Sequence, residues 1–159
     1  MAQRIRFVAY LLLLLLALFP ILAAIADLVS DFGAGLPTDH QGTFAAVAGQ
    51  SWPNVQTTAP GVASYITLLE TGYAIHELVF GVLFLGIVAV PLRRGQWWAW
   101  WLAWAVLVAD LGYTLTFGRH DATVLSRALI ADIGLPVLLL VQLPWLLGKR
   151  KQRVGSSDG

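Results

Sequence analysis

The sequence predicts an all-α protein: a four-helix transmembrane bundle, up-down in topology, with the N-terminus and the C-terminus both cytoplasmic. Three observations carry that expectation. The chain is 58% apolar and 12% charged, with a mean hydropathy of +0.73 over 159 residues. A soluble domain of one-core length cannot hide that much apolar surface, so lipid is the natural solvent. Four apolar stretches are each long enough to cross a hydrocarbon core of about 30 Å at about 1.5 Å per residue. Lys and Arg then segregate to alternate connections between them.

The first stretch, Phe7–Val29, follows Arg4 and Arg6 and is dominated by leucine. A basic start and the triplet Ala24-Ile25-Ala26 also suit a signal peptide. The apolar run exceeds a usual signal core, and no polar segment precedes the triplet, so retention as a helix is expected. The next connection, 31–62, is rich in Gly, Pro, Thr and Gln and too long for a mere link. Thr43–Ala48 suits a short surface helix with Phe44, Val47 and Trp52 dipping into the interface, the alternative being a loosely ordered loop. The second stretch is Ala63–Pro91, the third Trp97–Phe117 and the fourth Leu125–Leu147. Residues 1–148 thus form one transmembrane domain, and 149–159 a basic, disordered cytoplasmic tail.

Eight of the ten Lys/Arg fall on one side: Arg4, Arg6, Arg93, Arg94, Lys149, Arg150, Lys151 and Arg153. Only Arg119 and Arg127 fall on the other. This bias places the termini and the Leu92–Gln96 turn inside, and the 31–62 connection outside, as in a bacterial inner membrane. A net charge of +1 gives no case for nucleic acid. With no cysteine, disulfides, thiolate catalysis and cysteine-held clusters are excluded.

Five acids lie inside the apolar stretches: Asp27, Glu70, Glu77, Asp110 and Asp132. A carboxylate near mid-membrane costs about 2.5–3.5 kcal/mol on insertion scales, so such groups usually face protein or water and mark function. Counting from the helix ends puts Asp27, Glu70, Asp110 and Asp132 in the outer half, and His76 with Glu77 near the midplane. Helical spacing aligns Ile66, Glu70, Tyr73, Glu77, Gly81 and Phe84 on one stripe, with His76 a quarter-turn away. On the third helix, Trp97, Trp101 and Trp104 share a side with Val108 and Leu111. Asp110 lies opposite, with Ala99, Ala103, Val106 and Tyr113. Small residues suit helix contact and tryptophans suit the interface, which points Asp110 into the bundle. Asp132 shares a stripe with Leu125, Ala128, Pro136 and Leu139. Pro136 frees the Asp132 carbonyl and Pro20 that of Leu16, so kinks are expected.

The expected ligand-binding set is therefore Glu70, Tyr73, His76, Glu77, Asp110, Tyr113 and Asp132. If the protein is an enzyme, Glu77 or Asp110 is the base and His76 the acid. The plainer alternative is glue: acids bonding Tyr73 or Tyr113 across helices at about 0.6 kcal/mol each, Arg127 pairing with Asp27 or Asp132, and these two wetted near the surface. Each histidine adjoins an acid (Asp39-His40, His76-Glu77, His120-Asp121), and His40 with His120, both in outer connections, make an outward-facing metal site conceivable; no pair shows metal-ligand spacing, so no metal is expected. No cofactor is expected either; a haem or chlorin held by His76 is the one variant the sequence admits. The Gly-rich turns carry no phosphate-binding fingerprint.

The segment Pro91-Leu-Arg-Arg-Gly-Gln-Trp-Trp-Ala-Trp-Trp resembles the inner turn of small, uncharacterised bacterial four-helix membrane proteins of DoxX-like type. The resemblance spans the hairpin from Ala63 to Phe117 and implies the four-span layout, without catalytic residues to carry over. Four-helix sterol isomerases of the emopamil-binding type offer an analogy, since they move protons on a lipid with embedded acids and a histidine. Three functions follow in order. The first is binding of a lipophilic or cationic small molecule, or of a partner membrane protein as an accessory subunit. The second is intramembrane acid–base chemistry on a lipid. The third is proton-coupled transport through Glu70, Glu77 and Asp110. The inner half offers only Gln142 for a through-path, which disfavours the third.

Overall fold

The structure is a computed structural model that describes residues 2–155, with side chains described for 3–149. The described residues form helices and short turns. Helix α1 covers Ala2–Gly33, α2 Thr38–Ala48, α3 Trp52–Thr58, α4 Pro60–Ile87, α5 Trp97–Tyr113 and α6 Ala122–Gly155. Both α4 and α5 end in a widened π-turn, Val88–Leu92 and Thr114–Gly118. Among the described residues, four helical segments are long and apolar enough to cross a membrane: Gln3–Gly33, Pro60–Leu92, Trp97–Gly118 and Ala122–Lys149.

Local chemistry explains the boundaries. Pro53 and Pro60 sit in the first turns of α3 and α4, where a missing N–H costs nothing. Pro91 cannot donate to Ile87, and the π-turn absorbs the gap. Gly95, at φ 72°, closes the turn into α5 while Trp145 packs over its bare Cα. Asp121 caps α6, its Oδ1 accepting from Thr123 N at 2.7 Å and Val124 N at 3.3 Å. The kinks expected at Pro20 and Pro136 do not interrupt α1 or α6. Lys149–Gly155, expected to begin a disordered tail, continue α6; residues 156–159 lie outside the described residues.

The four long helices are antiparallel along every close seam. Ile21 of α1 meets Gly81 of α4, and Gly35, just past α1, accepts from Thr67 Oγ1 at 2.6 Å. Trp100 Nε1 of α5 donates to Leu139 O of α6 at 2.9 Å. Gln142 Nε2 of α6 donates to Arg6 O of α1 at 3.3 Å. The intimate pairs are α1 with α4, α5 with α6 and α1 with α6. Although joined by a short turn, a connection that ordinarily packs antiparallel neighbours together, α4 and α5 scarcely touch. Burial of α4's small residues against α1 governs instead: at Gly81 a Cβ would press on Ile21 N at 3.0 Å.

The main core lies toward the end carrying Arg4, Arg6, Arg93 and Lys149, hereafter the basic end. Leu13, Ala17, Phe84, Val88, Ala99, Trp100, Ala103, Leu135 and Leu139 meet there. Ala99 and Ala103 are fully buried while Trp101 and Val108 are 58% and 72% exposed, as helical spacing predicts. Trp97 and Trp104 turn partly inward against the core, so that face is less uniformly outward than expected. Around the core, large apolar side chains such as Leu15, Leu83, Ile130 and Ile133 stand exposed on every side, a surface suited to hydrocarbon.

Candidate functional site at the loop end

At the opposite end, the 31–62 connection folds into a cap. Trp52 is buried with Leu36, Val55 and Ala63, and Phe44 packs edge-on at 5.4 Å. Its Nε1 donates to Ala34 O at 2.8 Å. The sequence places Trp52 in the lipid interface; it instead pins α3 to the end of α1. Helix α2 is longer than expected, starting at Thr38, and one stripe of it, with Leu36 ahead, faces inward: His40 and Thr43 are buried.

This stripe brings His40 into the bundle. His40 Nδ1 lies 2.9 Å from Glu70 Oε2 of α4. On its other side Nε2 is 3.4 Å from the Tyr113 hydroxyl of α5. Phe117, in the π-turn after α5, stacks on the imidazole at 5.7 Å, and the Tyr73 ring stands at 6.4 Å. His40 thus bridges the two helices that scarcely meet. Two further contacts fasten α2 across the bundle: Arg127 of α6 reaches Asp39 at 3.3 Å, and Asp121 sits against Gly42, where no Cβ would fit.

Burial alone pushes the His40 pKa down, yet the hydrogen bond and charge of Glu70 outweigh it, with Asp39 and Asp27 adding. The net direction is upward from 6.5, toward an imidazolium held by an acid.

Not every expected site residue joins this group. Glu70, Tyr73 and Tyr113 surround His40. Glu77 lies on the same α4 face within electrostatic reach of Tyr73, as does Asp27 of α1. His76, expected to act as acid or to hold a haem, stands on the exposed face of α4 away from these groups. A quarter-turn from the polar stripe suffices to aim it outward. Asp110 and Asp132 form a separate pair between α5 and α6, where Asp132 Oδ2 accepts from Thr114 Oγ1 at 2.8 Å. Asp31 is buried beside Thr71, whose hydroxyl donates to Thr67 O at 2.9 Å, so neither carboxyl oxygen gains a well-formed hydrogen bond. Arg127 pairs with Asp39, not with Asp27 or Asp132. Among the described residues, no three His, Asp or Glu side chains converge as a metal site would require.

His40 is the candidate site residue that the sequence hides inside a polar connection. The signal was there: Leu36, His40, Thr43 and Phe44 repeat at helical spacing, and that stripe, extended back from Thr43–Ala48, puts His40 on the buried face.

Beneath α2 a cavity of about 250 Å³ opens between α2, α4 and the end of α5. Leu36, Phe44, Val47, Ile66 and Phe117 line it, and His40 with Glu70 form its polar wall. Fold and site together define a polytopic α-helical membrane protein with a capped, mostly apolar cavity at one end. No family model, no curated protein and no solved structure matches the chain.

Proposed function

We propose that this protein spans a bacterial inner membrane four times with both termini cytoplasmic, and binds a small lipophilic molecule in its outer half. The carrying observation is the cavity under α2, apolar except for Thr43 and the His40–Glu70 pair. At about 250 Å³ it is smaller than the ~300–1,000 Å³ pockets that enclose drug-sized ligands, so it suits a compact lipophile or the tip of a longer one. Because α4 and α5 scarcely meet, the path into it runs sideways from the membrane. A polar or cationic head on the ligand would be met by Glu70 through or beside His40.

A second reading, acid–base chemistry on a lipid, is favoured by one observation. Glu70, His40 and Tyr113 form an acid–imidazole–phenol chain whose first two members line the cavity. In that arrangement Glu70 orients the imidazole while Nε2 and the phenol face each other as proton-exchanging groups. His76 has no part in it.

Photocrosslinking separates a cavity from a lipid-coated surface. With the protein in liposomes holding a diazirine-tailed fatty acid, adducts should concentrate on 36–48, 66–70 and 117. Ala48→Phe, which fills the cavity mouth, should cut them several-fold. Adducts spread evenly over Leu15, Leu83 and Ile130 would overturn the reading.

A further inference from the structure

The basic end holds a second cavity, larger than the first at about 430 Å³. Its walls are Arg6, Arg93 and Gln142 on the polar side, with Phe7, Leu11 and Leu14 continuing along α1 on the apolar side. The two guanidiniums have no carboxylate partner among the described residues, whose ion pairs are His40–Glu70 and Arg127–Asp39. All eight acids among the described residues belong to the loop-end half or the middle of the bundle, from Asp27 to Asp132. Two fixed cations therefore face a cavity with no internal counter-charge.

The surroundings of Arg6 hold it for an external anion. Arg6 stacks on the Trp145 ring at 4.7 Å, and Lys149 Nζ lies 5.4 Å from the same ring. Stacking occupies the face of the guanidinium and leaves its N–H edge free to fork onto phosphate oxygens. Gln142, only 3% exposed, ties α6 to Arg6 O and so fixes the cavity's back wall. Phe7 and Leu11, 58% and 42% exposed, extend from this polar mouth along the outside of α1, where an acyl chain would lie.

We propose that this cavity binds the phosphate headgroup of an anionic phospholipid, with Arg6 and Arg93 as its ligands and an acyl chain along Phe7 and Leu11. The proposal rests on the membrane-spanning reading but is independent of the loop-end cavity. It differs from general attraction of a basic surface to anionic lipid, because Arg94, one residue on and likewise exposed, does not line the cavity whereas Arg93 does.

The test is native mass spectrometry of the full chain in detergent, titrated with phosphatidylglycerol and, separately, phosphatidylcholine. Wild type should retain phosphatidylglycerol several-fold better. Arg6→Gln and Arg93→Gln should each lose about 5-fold of that preference, on the scale of one basic residue near an anionic headgroup. Arg6→Lys should lose less, since it keeps the charge but not the fork, and Arg94→Gln should lose none. Unchanged phosphatidylcholine retention and unfolding temperature in these variants show that the fold survives. An equal loss in Arg94→Gln, or no loss in Arg6→Gln and Arg93→Gln, overturns the site in favour of diffuse charge. Displacement of the lipid by millimolar inorganic phosphate would assign the cavity to a soluble anion and overturn the lipid proposal. Failure to bind either lipid would strike the membrane reading itself, a distinct result.

Discussion

Single polar atoms decide much here because no water is at hand to replace a lost partner. Trp100 and Trp104 sit one helical turn apart and differ in one respect. The Trp100 indole donates to Leu139 O at 2.9 Å, whereas the Trp104 Nε1 is enclosed without a partner. Trp100→Phe should therefore destabilise the bundle by about 1 kcal/mol, while Trp104→Phe, which removes an unsatisfied donor, should be neutral or stabilising. Thermal unfolding in detergent measures both, and equal losses would mean that ring volume alone matters. His40 gives the corresponding pH prediction. Its pKa is raised in the fold by Glu70 against the lowering effect of burial, with Asp39 and Asp27 assisting. A raised folded value means the pairing contributes fully below the unfolded value of 6.5, and fades as pH climbs through the folded value. Tyr113 and Tyr73, the other titratable groups facing the ring, are phenols that stay neutral in this range. Melting temperature should thus fall in wild type as pH rises above about 6.5. His40→Gln should flatten the curve. A slope that survives His40→Gln would assign the effect to another group.

At the scale of helices, the long spans were legible in the sequence and their neighbours were not. Length and hydropathy locate a span without knowledge of its partner. The stripe containing Ala99, Ala103 and Asp110 marks an inward face because small residues there permit close approach. Which helix fills that face depends on where every other small residue falls, and that is a property of pairs. A five-residue turn suggested α4 against α5, yet Gly81 fits Ile21 and Pro20, so α4 packs on α1. The site shared this limit. Glu70, Tyr73 and Tyr113 were readable as membrane-embedded polar groups, but their organiser, His40, arrives from a connection that lies outside the spans. His76 looked equivalent in the sequence and differs only by a quarter-turn of helix. Packing predicts the mutational pattern. Ala103→Leu inserts three carbons into a fully closed contact and should cost about 1–3 kcal/mol. Val108→Leu, on a side chain 72% exposed, should change unfolding by less than about 0.5 kcal/mol. Equal tolerance at the two positions would mean that α5 is turned the other way.

For the whole molecule, geometry and charge make separate claims about topology, and a test must keep them apart. Four antiparallel helices bring Arg4 and Lys149 to the same end of the bundle whatever the charges are. The proposal that this end is cytoplasmic rests on the Lys/Arg bias alone, with Arg4, Arg6, Arg93, Arg94 and Lys149 at one end against Arg119 and Arg127 at the other. The absence of native cysteine makes the chain ready for single-cysteine labelling. Gln50 lies exposed in the turn between α2 and α3, so Gln50→Cys reports the loop end without touching the cap's core. Ser156→Cys reports the C-terminal side. In intact cells an impermeant maleimide should modify Gln50→Cys and leave Ser156→Cys unmodified until the membrane is permeabilised. The reverse pattern would preserve the four spans and invert the charge reading, placing the His40 cavity in the cytoplasmic half and the Arg6–Arg93 cavity in the outer half. Labelling of both from the same side would require an odd number of spans between residues 50 and 156 to become even, and the bundle itself would be wrong. Because α4, α5 and α6 lie between the two reporters, that last outcome tests three helices at once.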